Sequence, residues 1–310
     1  MKEDSDDATV RGSEDRPTEA ARISSDADRI ERAFAGESIY GDDFTPDEIL
    51  AWFKDEAEAY ADLGAKDAGS YRYRYHAMNR LHGYGLLPRR RFARALGFGS
   101  AYGDELKPVI DRIDEVTIVD PSDAFVRTEV GGRPARWVKP RPNGVLDFPD
   151  ETFDLLTCFG VLHHIPNVSR VLGEFHRVLA PGGLALIREP ITSMGDWRRP
   201  RPGLTRRERG LPSKAFREAI LRSGFGVRSM RRIGFGPLIW ALGRLGVNPY
   251  SSATLTRIDH LLAGLSTGNN RYHARPGKSL DRVRPTVVFA VLERPATAPD
   301  ATTSFPSVRP

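Results

Sequence analysis

The chain has 310 residues, an apolar fraction of 40% and a formal net charge of +5. That length suits one sizeable domain with additions, or two small domains. The single Cys158 excludes an internal disulfide framework, the acidic start Met1-Lys2-Glu3-Asp4 lacks the apolar stretch of a secretion signal, and no run approaches the roughly 18 apolar residues of a membrane span, so a cytoplasmic protein is expected.

Residues 1–27 are rich in Asp, Glu, Ser, Arg and Thr and hold too little apolar surface to offset ordering entropy, so they read as a disordered tail. Residues 28–90 read as an N-terminal helical segment, with a short helix at 28–36. Thr45-Pro46-Asp47-Glu48 is a helix start: Thr45 can cap, Pro46 suits the first helical position and Glu48 completes a capping box. Ile49, Phe53, Ala57 and Tyr60 follow on one face, and Gly64 can end the helix. Residues 71–84, crowded with Tyr and His, read as a second helix, although the alternating Tyr at their start also fits a strand.

A core domain is expected over 91–293. Residues 92–96 form its first strand. The turn after it, Gly97-Phe98-Gly99-Ser100-Ala101-Tyr102-Gly103, lets backbone pass close to a ligand without a Cβ in the way. The second strand, 116–119, ends in Asp120, with Pro121 beside it. A carboxylate at a strand tip suits the cis-diol of a ribose, so these residues alone fit several nucleoside-bearing cofactors, NAD included. A third strand is weakly signalled at 135–139.

The most informative stretch is 144–189. Residues 153–159 are an apolar strand that contains Cys158, read as a small core residue. The polar turn His163-His164-Ile165-Pro166-Asn167 leads into a helix with Val171, Leu172, Phe175, Val178 and Leu179 at helical spacing. Pro181-Gly182-Gly183 is expected to stop the helix, and 184–187 is again a strand. A strand-helix-strand unit with continuous apolar strands belongs in a parallel sheet covered on both faces. Beyond it lie a long loop (193–212), a helix to 221, a strand (227–233), two helical pieces within 237–266 broken at Val247-Asn248-Pro249, and a last strand (286–292). The apolar side of the first helical piece, with Trp240, either caps an acceptor pocket or packs. The tail from Arg294 reads as disordered. From Arg188 to Arg232, 13 Lys and Arg stand against 4 Asp and Glu, which suits a phosphate- or nucleic-acid-facing surface or merely a solvated Arg-rich face. No His/Cys/Asp/Glu spacing suggests a zinc site, and no metal is expected.

The pattern F-D-x-L-x-C-x-x-V-L-H-H-I-P (153–166), followed by E-F-x-R-V-L-x-P-G-G-L-A-L-I (174–187), resembles the class I S-adenosylmethionine (SAM)-dependent methyltransferases of type 11. The resemblance covers about residues 90–190. It implies an α/β fold: a Rossmann-like, mostly parallel seven-stranded sheet with helices on both faces, an antiparallel last strand, an N-terminal helical lid and a C-terminal insertion at about 191–285. It implies SAM as cofactor, held by Gly97, Phe98, Gly99, Ser100, Asp120, Pro121, Asn143 (at the adenine), Gly144, Phe159 and Gly160, the last two beside the sulfonium. Tyr75, His76 and Asn79 become candidates for the acceptor pocket, and Asp147 and Asp154 for its flanks.

Two positions depart from the family pattern. Ala95 stands where an acid usually helps hold the methionine amino group, and Ala101 stands for the third glycine. A SAM-binding scaffold without turnover is therefore one reading. The main reading is methyl transfer to a small-molecule or glycan acceptor, on oxygen, with His164, Glu189, Asp196 or His273 as candidate base; the paired histidines alternatively orient their loop. A nucleic-acid methyltransferase acting through the basic segment 188–232 is the alternative, although Cys158-Phe159-Gly160-Val161 lacks the Asp/Asn-Pro-Pro-aromatic motif of amino-group methylases. The sequence does not fix the oligomeric state.

Overall fold

The computed structural model describes residues 19–63, 71–275 and 277–296. Three helices open the chain: α1 (Glu19–Phe34), α2 (Pro46–Leu63) and α3 (His76–His82). The sheet then takes β1 (Phe92–Phe98), β2 (Ile113–Val119), β3 (Glu129–Val130), β4 (Arg133–Val138) and β5 (Phe153–Phe159). There follow α4 (Val168–Val178), β6 (Leu179–Pro190), α5 (Ser213–Arg222), β7 (Gly226–Phe235), α6 (Gly236–Arg244), α7 (Ala253–Leu265) and β8 (Pro285–Glu293).

The strands form one sheet in the order β3-β4-β2-β1-β5-β6-β8-β7. The five central strands run parallel, and β8 is inserted antiparallel between β6 and β7. This is the expected mostly parallel α/β sheet with one strand more than the seven predicted. The addition is β3, turned back onto β4 by Gly131-Gly132, both at positive φ. Strands with both faces covered need apolar residues throughout. One face packs Phe98, Leu156, Phe175 and Phe216, and the other packs Phe92, Leu106, Val116 and Phe289.

Several predicted boundaries move. Helix α1 starts at Glu19, inside the segment read as a disordered tail; residues 1–18 and 297–310 lie outside the described residues, as does Gly64. The Thr45 capping box forms, with Thr45 N donating to Glu48 Oε2 at 2.8 Å and Glu48 N to Thr45 Oγ1 at 3.4 Å. Residues 71–75 are not helical, and α3 begins only at His76. Distant partners hold this run: the Tyr73 hydroxyl accepts from Asn79 Nδ2 at 2.7 Å, and Tyr75 stacks on Tyr250. Helix α4 stops at Val178 because Leu179 already pairs with Phe153. Pro181-Gly182-Gly183 is thus an irregular opening of β6 rather than the helix stop, with Gly182 N donating to Arg294 O.

The segment 191–285, expected as an insertion, contains α5 and β7, which belong to the core sheet and its cover. Helix α6 has no fully buried residue and Trp240 is 62% exposed under the Arg244 guanidinium, but Ile239 packs half-buried against the core, so of the two expectations for this face the packing one holds at Ile239. Among the described residues no helix is long and apolar enough to cross a membrane.

Candidate active site

The carboxyl ends of β1, β2 and β5 open onto a cavity of about 150 Å³. Phe98, Gly99, Val119 and Asp120 form its floor, Gly160 and Val161 one wall, and Pro142, Gly144 and Leu146 another. Trp52, Phe53 and Glu56 of α2 close it from above. Gly99 has φ +66, and a Cβ there would lie 2.5 Å from a methyl of Val161, so the turn needs glycine both for its backbone and for its neighbour. Asp120 is 3% exposed. Its Oδ2 accepts from Ala101 N and its Oδ1 from Ser122 N, each at 3.0 Å. Burial raises its pKa, and the two N–H donors counter that shift in part. The bond from Ala101 N, with the one from Trp137 Nε1 to Ala101 O, holds Ala101 at φ +47, where the family pattern has glycine.

Of the residues predicted to hold a cofactor, Phe98, Gly99, Asp120, Pro121, Gly144 and Gly160 line this cavity, and Gly97, Ser100, Asn143 and Phe159 do not. Gly97 and Ser100 lie against each other beneath the turn, where a Cβ on Gly97 would meet Ser100 Oγ at 2.5 Å. Phe159 turns to the other face of the sheet, against Tyr84 and Phe289. Asn143, expected at the adenine, is engaged within its own loop: its Oδ1 accepts from Val145 N at 3.1 Å and its backbone oxygen from Asn167 Nδ2. Asp154 is corrected as a pocket flank, because it binds Ala93 N and Arg94 N near the start of β1, away from the cavity. Trp52, Glu56, Val119, Leu146, Val161 and Ile165 line the cavity and were not singled out; the apolar face of α2 signalled only Phe53.

The four candidate bases do not converge. His164 lines the cavity, its Nδ1 3.0 Å from Glu56 Oε2 and its backbone oxygen accepting from Trp52 Nε1 at 2.7 Å. Glu189 is fully buried and saturated. It accepts from Val161 N and Leu162 N at 2.9 Å each, from His163 N at 3.3 Å, and it lies 2.8 Å from His163 Nδ1. It anchors the histidine turn and has no exposed surface toward the cavity. Burial opposes its charge, but His163 and the backbone donors hold its pKa below the usual carboxylate value. His163 responds oppositely: burial is outweighed by Glu189 and Glu208, which raise it. Asp196 is tied to Arg198, which lowers its pKa, and His273 Nδ1 lies 2.9 Å from Ser193 Oγ. Both sit away from the cavity, His273 against Phe34 of α1.

Behind the cavity lies a buried polar cluster. Ala95, at the position where the family pattern has an acid, is enclosed in apolar core. A carboxylate arrives instead from Glu105, 3.5 Å from Thr157 Oγ1, with its pKa pushed up to about 7 by burial. Arg188 donates to Asn79 Oδ1 at 2.8 Å, and its guanidinium lies 4.2 Å from the Tyr75 ring. Cys158 is buried in β5, and burial raises its thiol pKa.

Much of the positive charge in 188–232 is engaged internally. Arg198 pairs with Glu31 and Arg207 with Asp55. Arg201 donates to the oxygens of Met194 and Thr205, and buried Arg209 to those of Leu162, Tyr40 and Ile165. Arg198 and Arg207 thereby tie the loop to α1 and α2.

Residues 96–187 match the Methyltransf_11 family model, described as a methyltransferase domain. A demethylmenaquinone methyltransferase of Lysinibacillus sphaericus is 46% identical over 48 residues, 16% of this chain; the chain thus spans about a fifth (20%) of the length of the curated relative it matches. Among solved structures, a SAM-dependent methyltransferase of the DUF858 family from Leishmania major aligns at a TM-score of 0.50 with 11% identity, covering 78% of this chain and 83% of that one. A SAM-dependent methyltransferase from Mesorhizobium loti aligns at 0.45 with 17% identity, covering 68% and 95%.

Proposed function

We propose that this chain, whose residues 96–187 match a methyltransferase-domain family model, is a class I enzyme that transfers a methyl group from SAM to a hydroxyl of a small-molecule or glycan acceptor. The observation that carries the reading is the cavity at the carboxyl ends of β1, β2 and β5 with the Asp120 carboxylate at its floor. Ligands of open α/β sheets bind at that edge. The residues fit such a donor. Gly99 leaves room that a Cβ would close, Asp120 offers acceptor oxygens to ribose hydroxyls, and Phe98, Val119, Leu146 and Ile165 make apolar walls for a purine. Behind Gly160 the Arg188 guanidinium, 3.9 Å from where a Cβ on that glycine would stand, is suited to a carboxylate group.

SAM supplies an electrophilic methyl on a sulfonium. The chain's own contribution is to hold donor and acceptor in line under the α2 roof and to keep water out, which is where much of the rate of such a displacement arises. His164, oriented by Glu56 at the cavity wall, is the polar group placed to receive a hydroxyl proton, and this supports oxygen as the acceptor atom.

Calorimetry of SAM and S-adenosylhomocysteine binding to wild type and Asp120→Asn tests the reading. Micromolar binding, about −8 kcal/mol, at least tenfold weaker in the variant, is expected. Folded wild type that binds neither ligand refutes it. Ala95 favours a second reading, a scaffold that binds SAM without turnover; binding with no methyl release to any sugar or small-molecule acceptor distinguishes it.

A further inference from the structure

We infer that His163, His164 and Glu208 form a site for one divalent transition-metal ion at the wall of the cavity. One ligand atom from each lies within 4.8 Å of the other two, the one such His/Cys/Asp/Glu cluster among the described residues. His163 Nε2 and Glu208 Oε1 are already 3.5 Å apart. Ligands around a tetrahedral ion at about 2.1 Å stand about 3.4 Å from one another, so this pair is at its working distance and His164 needs only a small swing.

The surroundings are those of a metal centre. A metal-bound imidazole usually directs its other nitrogen at a carboxylate, which fixes ring orientation. Here His163 Nδ1 lies 2.8 Å from Glu189, which is itself held by three backbone N–H groups. Glu208 is held by Thr205 N at 3.1 Å, and Glu56, 3.0 Å from His164 Nδ1, accepts from Thr205 Oγ1. Two imidazoles and one carboxylate are a donor set for zinc and its first-row neighbours rather than magnesium or calcium. Of the three ligands His164 lines the cavity and His163 and Glu208 do not, so an ion held here meets the cavity on its His164 side. An ion there polarises an oxygen bound on that side. The spacing of the sequence hides the site, because Glu208 comes from the long loop and the histidines from the turn after β5.

The rival occupant is a proton: His163 as imidazolium clamped between Glu189 and Glu208, which takes up no metal. The full chain, treated with EDTA and dialysed, is titrated with Co²⁺, read by visible absorption, and with Zn²⁺, read by calorimetry; metal content of untreated protein is measured in parallel. One ion per chain is expected. Loss of an outer partner of a ligand costs 10–100-fold in affinity, so Glu208→Gln weakens binding about 100-fold or more, and Glu189→Gln about 10-fold. His273→Asn, outside the cluster, leaves it unchanged. Wild type that takes up neither ion stoichiometrically overturns the inference without reference to any variant, as does unchanged affinity in a folded Glu208→Gln. The ion and the hydroxyl proton are alternative occupants of His164, so the base role proposed for it holds only for the metal-free chain, while SAM binding does not depend on the ion. S-adenosylhomocysteine binding is measured on the same samples, and metal uptake without it sinks that reading and leaves this one.

Discussion

Gly99→Ala, taken alone and with Val161→Ala, probes the turn that forms the cavity floor. Two costs add. An L residue at φ +66 loses about 1–2 kcal/mol relative to right-handed backbone. The new Cβ would also lie 2.5 and 2.6 Å from the two methyls of Val161, a stiff β-branched side chain, and relieving such overpacking costs about 1–3 kcal/mol. Gly99→Ala should therefore lose about 2–5 kcal/mol in urea unfolding with an unchanged slope. Val161→Ala removes both clashing methyls and itself costs about 1 kcal/mol. The double variant should be more stable than the sum of the singles by about 1–2 kcal/mol, while the backbone cost persists. S-adenosylhomocysteine calorimetry should show binding lost in Gly99→Ala and partly restored in the pair. Independent sites add to within about 0.5 kcal/mol; additive losses, or a single variant as stable as wild type, would refute the account.

Glu105 makes stability depend on pH. Its carboxyl titrates near 7 in the fold against 4.5 when free, so the native state holds the proton more tightly and stability falls as pH rises through that window. The total is roughly 3 kcal/mol. Urea unfolding at pH 5 and pH 8 should show a larger fall in wild type than in Glu105→Gln, which keeps the contribution of His163, also raised in the fold; equal falls in both would remove Glu105 as the cause. Arg209→Met leaves the oxygens of Leu162, Tyr40 and Ile165 without their guanidinium donor and should cost about 3 kcal/mol; a loss under 1 kcal/mol means that water replaces the donor.

The strands were legible because their signal is local. A run such as 153–159, apolar on both faces, suits a buried parallel strand wherever it occurs. The glycine turn, Asp120 and the capping box at Thr45 were legible for the same reason, since each is a chemistry of neighbours. What the sequence hid depends on which of several available partners a side chain takes, some close by and some far along the chain. Residues 71–75 carry Tyr and Arg that suit helix or strand, and Asn79 and Tyr250 decide the matter. Asn143 had the right chemistry for adenine but closes its own turn onto Val145. Glu189 reads as a base at a strand tip, until the three N–H groups of the histidine turn are seen to occupy it. Ala95 reads as a missing acid, and the carboxylate that reaches the same region comes from Glu105.

Trp52 has no exposed surface, and its ring carries Arg209 at 4.8 Å on the side where that guanidinium grips Tyr40, Leu162 and Ile165. The roof of the cavity, the histidine turn and the long arginine loop thus share a single bolt. Opening the roof breaks contacts in all three at once, so their amides should exchange with deuterium as one cooperative unit rather than helix by helix. A ligand under this roof would then leave only when all three parts open together.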